Sequence, residues 1–177
     1  MIGNEFLKSA IKRLREYKSL GDKTLEQLKA SDLHWQPDES TNSIAIIVKH
    51  LHGNMKSRWT NFLTEDGEKE WRQRDEEFVA KHESDADIIG LWEEGWTILL
   101  DTLETLSTED LLKTVTIRTQ PLTVIDAINR QLAHYSYHIG QIVQLGKWIK
   151  KEEWQSLSIP KGASQKYNFS LRQGIKS

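Results

Sequence analysis

Apolar side chains repeat at helical spacing along most of this chain, and this pattern limits the folds open to it more than any other feature. The repeat runs through residues 4–29, 43–62, 86–106 and 121–150. Its period is close to the ~3.6 residues of an α-helix turn, and the three prolines fall in the expected connections. Four such stretches with short to moderate connections predict an all-α four-helix bundle.

The segments between the helical stretches carry separate predictions. Gly21 interrupts the first stretch and predicts a kink or a short break. Residues 64–84 are highly charged, which favours an excursion over the surface. Residues 114–118 alternate between polar and apolar side chains, which indicates a short strand or a β-hairpin before the last helix. We expect residues 1–150 to form one domain, and 151–177 to form an extended tail that is partly packed.

Composition excludes several functional classes. The chain has no cysteine, which excludes disulfides, cysteine zinc fingers, iron–sulfur clusters and cysteine nucleophiles. Lys and Arg total 24 against 26 Asp and Glu, so there is no basic excess to suit nucleic acid. No window reaches the roughly 18–20 consecutive apolar residues of a membrane span. We therefore expect a cytoplasmic protein of 177 residues with neither a nucleic-acid nor a membrane partner.

The pair His134 and His138 is the strongest chemical signal in the sequence. Residues four apart lie about one turn apart on the same side of a helix, which suits two ligands of one metal ion. A zinc protease of the H-E-x-x-H type would need glutamate where Tyr135 stands. The alternative is a pair of hydrogen-bonded histidines near the core. The pair lies beside the apolar stripe, where its ring nitrogens need partners, and this favours a metal.

A third metal ligand must come from another helix, and the second helix offers His50 and His52. These two are about 200° apart on a helix, so both cannot reach one site. Each flanks the apolar stripe by about 100°, and periodicity does not choose between them. Small polar residues such as Asn54 share the flank of His50, whereas the flank of His52 is typical of packing. The polar flank favours His50.

Four polar residues near these histidines are candidates for orienting the metal ligands. They are Asn54, Gln131, Tyr135 and Gln141. For each, the alternative is an ordinary polar residue on the flank of a helix. We expect His34 and His82 in loops or on the surface, with no functional role.

Two segments, SIAIIVKHL at 43–51 and HYSYHIGQ at 134–141, have a characteristic order and spacing. Together they resemble the DinB-like superfamily of metal-binding four-helix bundles, which includes the YfiT-like metal-dependent hydrolases. The superfamily pattern has one histidine before Leu or Val on the second helix, and H-x-x-x-H on the fourth. This pattern selects His50 as the third ligand. The resemblance covers roughly residues 1–150, including the LHWQP loop at 33–37.

The resemblance implies a three-histidine site commonly occupied by nickel or zinc, and frequently a homodimer. Some members of the superfamily transfer a low-molecular-weight thiol such as bacillithiol or mycothiol. We therefore expect a metal-dependent enzyme that transfers such a thiol to an electrophilic small molecule. The alternatives are a hydrolase that uses metal-bound water and a metal-binding or interaction bundle without catalysis.

Overall fold

The computed structural model describes residues 2–79 and 84–173, which are mostly helical. The helices in these residues are α1 (Ile2–Leu25), α2 (Ile44–Trp59), α3 (Asp85–Thr105), α4 (Val124–Lys150) and α5 (Ser164–Arg172). Strands β1 (Thr114–Ile117) and β2 (Gln120–Thr123) form an antiparallel pair just before α4. The predictions of a mostly helical chain and of a small hairpin before the last long helix are confirmed.

Short polar side chains set the helix starts. Ser43 accepts a hydrogen bond from the backbone N–H of Ile46 and begins α2 as its N-cap, as the sequence predicts. Thr123 caps α4 in the same way through the N–H of Asp126. The first helix ends at Leu25, four residues earlier than the periodicity predicts. The apolar pattern continues beyond Leu25 because the following turn still packs against the core.

Helix α1 runs without a break through Gly21, so the alternative of a short break is wrong. A Cβ atom at this position would lie 2.4 Å from the ring of Trp92 on α3. The glycine therefore serves the close approach of two helices. The indole Nε1 of Trp92 donates a 2.7 Å hydrogen bond to Asp22, which holds the contact in place.

The core lies between the four long helices, and α2 is its most enclosed element. Helix α2 packs against α3 and α4 and also against the turn at Arg74–Phe78. Most of its residues are buried, including polar ones on its flanks. No helix among the described residues has the length and apolar character needed to cross a membrane.

The charged segment that follows α2 packs against the protein more closely than a surface excursion would. Lys69 is buried, and the side chain of Arg72 is only 2 % exposed. The backbone N–H of Gly67 donates to the carbonyl of Thr116 at 2.8 Å, which ties the segment to β1. Most of the described residues of this segment are exposed, and ion pairs within it allow the side chains of Lys69 and Arg72 to be buried.

The tail contains a short helix, α5, where the sequence predicts extended chain. The backbone N–H of Gln155 donates to the side chain of Gln27 at 2.8 Å, so the start of the tail is attached to the turn that follows α1. Trp154 packs where Gly146 of α4 leaves space for its ring.

Candidate metal centre

Helices α2 and α4 bring three histidine rings together. The Nε2 atom of His134 lies 3.3 Å from Nε2 of His50 and 3.1 Å from Nε2 of His138. The three ligand atoms all lie within 4.8 Å of one another. Bonds of about 2.0–2.1 Å to one tetrahedral zinc ion place two imidazole nitrogens roughly 3.3 Å apart. The cluster therefore has the dimensions of a site for a single metal ion.

Each of the three histidines turns its Nδ1 atom toward an oxygen acceptor. The contacts join His50 to Glu77 at 2.9 Å, His138 to Gln141 at 2.7 Å and His134 to Gln131 at 3.4 Å. A carboxylate or an amide oxygen can only accept a hydrogen bond, so each Nδ1 carries the ring proton. The Nε2 atom of a neutral ring then presents a bare lone pair, which is the form that binds a metal.

The protein environment keeps two of these rings neutral. Burial, followed by the neighbouring His138 and His50 rings, lowers the pKa of His134 to about 3. Burial lowers the pKa of His138 to about 4, although its hydrogen bond to Gln141 acts in the opposite direction. Lone pairs thus point at one another near neutral pH with no proton between them. A cation placed among them would remove this repulsion, and the residues fit a divalent metal ion.

Glu77, which lies in the turn Arg74–Phe78 of the charged segment, orients His50 and is itself held by Arg72. The guanidinium of Arg72 donates two hydrogen bonds to this carboxylate, at 2.8 and 2.9 Å. Burial alone raises the pKa of Glu77, but the hydrogen bonds from His50 and Arg72 outweigh it and hold the pKa below its usual range. Such a carboxylate–histidine pair is a common way to fix a metal-binding ring. The sequence prediction did not include Glu77 or Arg72.

Gly53 makes room for Glu77 on the surface of α2. A Cβ atom at Gly53 would lie 2.2 Å from Oε1 of Glu77 and 2.8 Å from its Cδ. Glycine inside a helix costs about 1 kcal/mol relative to alanine, so its presence one turn after His50 was the available signal in the sequence. A glycine at this helical position indicates that another part of the chain approaches closely, but it does not identify Glu77 as the residue that does so.

Tyr135 and Asn54 form a buried contact between α2 and α4. The hydroxyl of Tyr135 donates to Oδ1 of Asn54 at 3.1 Å and accepts from the indole of Trp59 at 3.0 Å. Tyr135 is fully buried, and burial raises its pKa. Among the described residues, its hydroxyl bonds to these two partners and to no histidine. Gln131 and Gln141 are the predicted polar residues that contact the histidine rings directly.

The two other histidines that the structure describes, His34 and His52, lie apart from the cluster. His52 projects from the opposite flank of α2, where its Nε2 lies 2.9 Å from Glu94 of α3, as the helical geometry predicts. His34 is half-buried at the end of the short turn Ala30–His34. His82 lies outside the described residues.

A cavity of about 430 Å³ opens beside the three histidines. Its other lining residues are Asn54, Arg58, Arg72, Arg74, Phe78, Arg118, Arg130, Gln131 and Tyr137. In the part of the chain that the structure describes, no aspartate or glutamate lines this cavity. The cavity is therefore lined by cationic arginine side chains together with the three histidines, which are possible metal ligands.

Comparison with known proteins identifies a family but no individual relative. Searches of curated proteins and of solved structures found no match. A family model with the description "Protein of unknown function (DUF1572)" matches residues 1–163. Because this match covers most of the chain, the chain belongs to the DUF1572 family.

Proposed function

We propose that His50, His134 and His138 bind one divalent metal ion, zinc or nickel, in an enzyme that transfers a low-molecular-weight thiol to an electrophilic small molecule. The convergence of three bare Nε2 atoms, each with its Nδ1 anchored, is the observation that carries this proposal. Three neutral protein ligands leave a zinc ion its full charge and an open position.

The lining of the cavity favours a thiol over water as the activated group. A divalent ion at this site supplies a positive charge that lowers the pKa of a bound thiol or water. A thiol starts from a pKa of about 8.5, against about 15.7 for water, so it needs the smaller shift. Glu77 is engaged by His50 and Arg72, so no carboxylate among the described residues is free beside the histidines to take a proton from water.

The arrangement of the helices supports membership of the DinB-like superfamily of four-helix bundles, and we include this in the proposal. One histidine on α2 and an H-x-x-x-H pair on α4 follow the order of the superfamily pattern. We also propose that residues 1–150 form the bundle domain and that two copies pair through helix faces. A monodisperse monomer in light scattering at micromolar concentration would contradict the homodimer.

A thiol-transfer assay tests the enzymatic part of the proposal. Protein loaded with zinc or nickel is mixed with bacillithiol and 1-chloro-2,4-dinitrobenzene, and the thioether product is measured. We expect a rate above the uncatalysed reaction that is lost with chelator and in His138→Ala. The matched variant His52→Ala changes a histidine of α2 outside the cluster and should keep the rate.

Two other results would overturn thiol transfer while leaving the metal site intact. Metal-dependent hydrolysis of p-nitrophenyl acetate, with no acceleration by the thiol, would indicate a hydrolase. Stoichiometric metal with neither activity would indicate a non-catalytic metal-binding protein.

A further inference from the structure

We infer that a ligand of this cavity carries a phosphate or carboxylate group, which Arg74 and Arg130 bind while its reacting group lies at the histidines. The position of the reacting group rests on the proposed metal site. The anion-binding part rests on the arginines and can be tested without metal.

The arginines of the cavity outnumber the carboxylates that face them. Oε2 of Glu68 lies 3.0 Å from Arg58, 3.1 Å from Arg118 and 3.9 Å from Arg72, so one carboxylate serves three guanidinium groups. Glu77 gives a second partner to Arg72 only. The walls therefore retain an excess of positive charge, which attracts an anion.

Two arginines have no strong carboxylate partner among the described residues. The one described carboxylate that Arg74 approaches is that of the fully exposed Asp75, at 3.7 Å, and its guanidinium lies over the ring of Phe78 at 5.0 Å. No carboxylate of the described residues pairs with Arg130. Guanidinium groups bind carboxylates and phosphates through paired hydrogen bonds, so these two are the available anchors.

Arg58 adds a buried cation with an unsatisfied donor to the cavity wall. It lines the cavity and is only 5 % exposed, yet its Nε atom has no hydrogen-bond partner among the described residues. An unpaired buried donor on a charged group is costly, and an anion in the cavity adds acceptor oxygens beside this arginine.

Helix geometry sets the distance between the anionic group and the reacting group. Arg130 precedes His134 by four residues on α4, and His138 follows at the same spacing, so the three side chains lie along one face. Each step of four residues advances about 6 Å along the helix axis. Phe78 lies beside His50, with ring centroids 4.9 Å apart, and Arg74 lies over the Phe78 ring, so Arg74 is also near the cluster. A compact bifunctional molecule would span these groups.

Binding of two probe anions tests the inference. Inorganic phosphate and succinate are titrated by calorimetry into metal-free and zinc-loaded protein, with succinamide as the neutral counterpart of succinate. We expect at least one anion, and not succinamide, to bind the metal-free protein. The double variant Arg74→Gln/Arg130→Gln should weaken that binding about tenfold or more. Preference for phosphate or for succinate identifies the anionic group.

Arg13→Gln is the matched control, because Arg13 lies on α1 and pairs with Glu16 away from the cavity. The Arg13→Gln variant should bind the anion as tightly as the natural sequence does. The Arg130→Lys variant, which keeps the positive charge, should retain part of this affinity. Arg74 and Arg130 are exposed, so the variants should keep the melting temperature of the parent.

Three outcomes would overturn the inference. One is no binding of either anion to the metal-free protein. Another is binding that needs zinc, disappears in His138→Ala and is unchanged in the arginine variants, which would place the anion on the metal alone and still support the metal site. The third is a single-stranded oligonucleotide that binds these arginines more tightly than either small anion. Binding that depends on the arginines, with no thiol transfer, would keep this inference and reject the proposed enzyme.

Discussion

The carboxylate of Glu77 lies 2.9 Å from Nδ1 of His50, although 27 residues separate the two in the chain. This contact places the proton of the imidazole on Nδ1 and directs the bare Nε2 toward the other two histidines. Arg72 holds the carboxylate from its far side. A metal site on two helices is thus oriented in part by the charged segment between α2 and α3.

We predict that Glu77→Gln lowers zinc affinity by about 10- to 100-fold, because the charged partner of a metal-binding histidine is lost. Competition with a fluorescent chelator measures the effect. Glu94→Gln is the matched control, since Glu94 contacts His52 at the same 2.9 Å distance outside the cluster. Equal losses in the two variants would show that Glu77 has no special role at the site.

Replacement of the histidines should separate ligands from bystanders. We expect elemental analysis to find about one metal ion per chain in the parent protein and little in His134→Ala or His138→Ala, because two imidazoles hold a divalent ion weakly. His52→Ala should retain the metal. A metal content that is insensitive to His134 and His138 would contradict the assignment of the site.

Contacts within one helix of this site could be predicted from the sequence, whereas contacts between distant parts of the chain could not. His134 and His138 could be paired from the sequence because one helix fixes their separation. Periodicity could not choose between His50 and His52, because both flank the same stripe and only the packing of α2 against α4 separates them. Glu77 follows two other acidic residues in a charged run, and no local pattern distinguishes the one that contacts a histidine.

The fold shows the same difference between local patterns, which the sequence reveals, and contacts between distant elements, which it does not. Local periodicity and capping were enough to predict the long helices, the cap at Ser43 and the small hairpin. The break predicted as one alternative at Gly21 is wrong, because this glycine makes room for Trp92 on another helix. Charge density predicted exposure for residues 64–84, and most of the described residues there are exposed, but an ion pair allows Lys69 to be buried.

We predict that Gly53→Ala weakens zinc binding even though alanine favours the helix by about 1 kcal/mol. The new Cβ would lie 2.2 Å from Oε1 of Glu77 and would displace this carboxylate from His50. Gly90→Ala on α3 is the control, since nothing lies within 4 Å of its Cβ position. It should raise the free energy of unfolding without changing zinc affinity. Unchanged affinity in Gly53→Ala would mean that Glu77 is dispensable.

The metal-free protein should lose stability as the pH falls from about 6.5 to 5. The pKa values of His134 and His138 lie at about 3 and about 4 in the fold, below the ordinary value of 6.5. In this window the unfolded chain therefore binds more protons than the folded chain, and stability present above pH 6.5 declines. Urea denaturation of His134→Gln/His138→Gln should show a smaller pH dependence. Some dependence should remain because burial also lowers the pKa of His52. If the free energy of unfolding of the double variant changed with pH as steeply as that of the parent, His134 and His138 would not be the cause of the pH dependence.

Tyr135→Phe should lower the free energy of unfolding by about 1–3 kcal/mol, because it leaves buried polar groups without a partner. The indole of Trp59 and the amide of Asn54 both depend on this hydroxyl. Urea denaturation measures the loss, and Tyr17→Phe is the control, since the Tyr17 hydroxyl has no hydrogen bond to another described residue. Zinc affinity should change little in either variant, because Tyr135 contacts the core and not a ring nitrogen of the cluster. A large loss of affinity without a loss of stability would instead make Tyr135 part of the metal site.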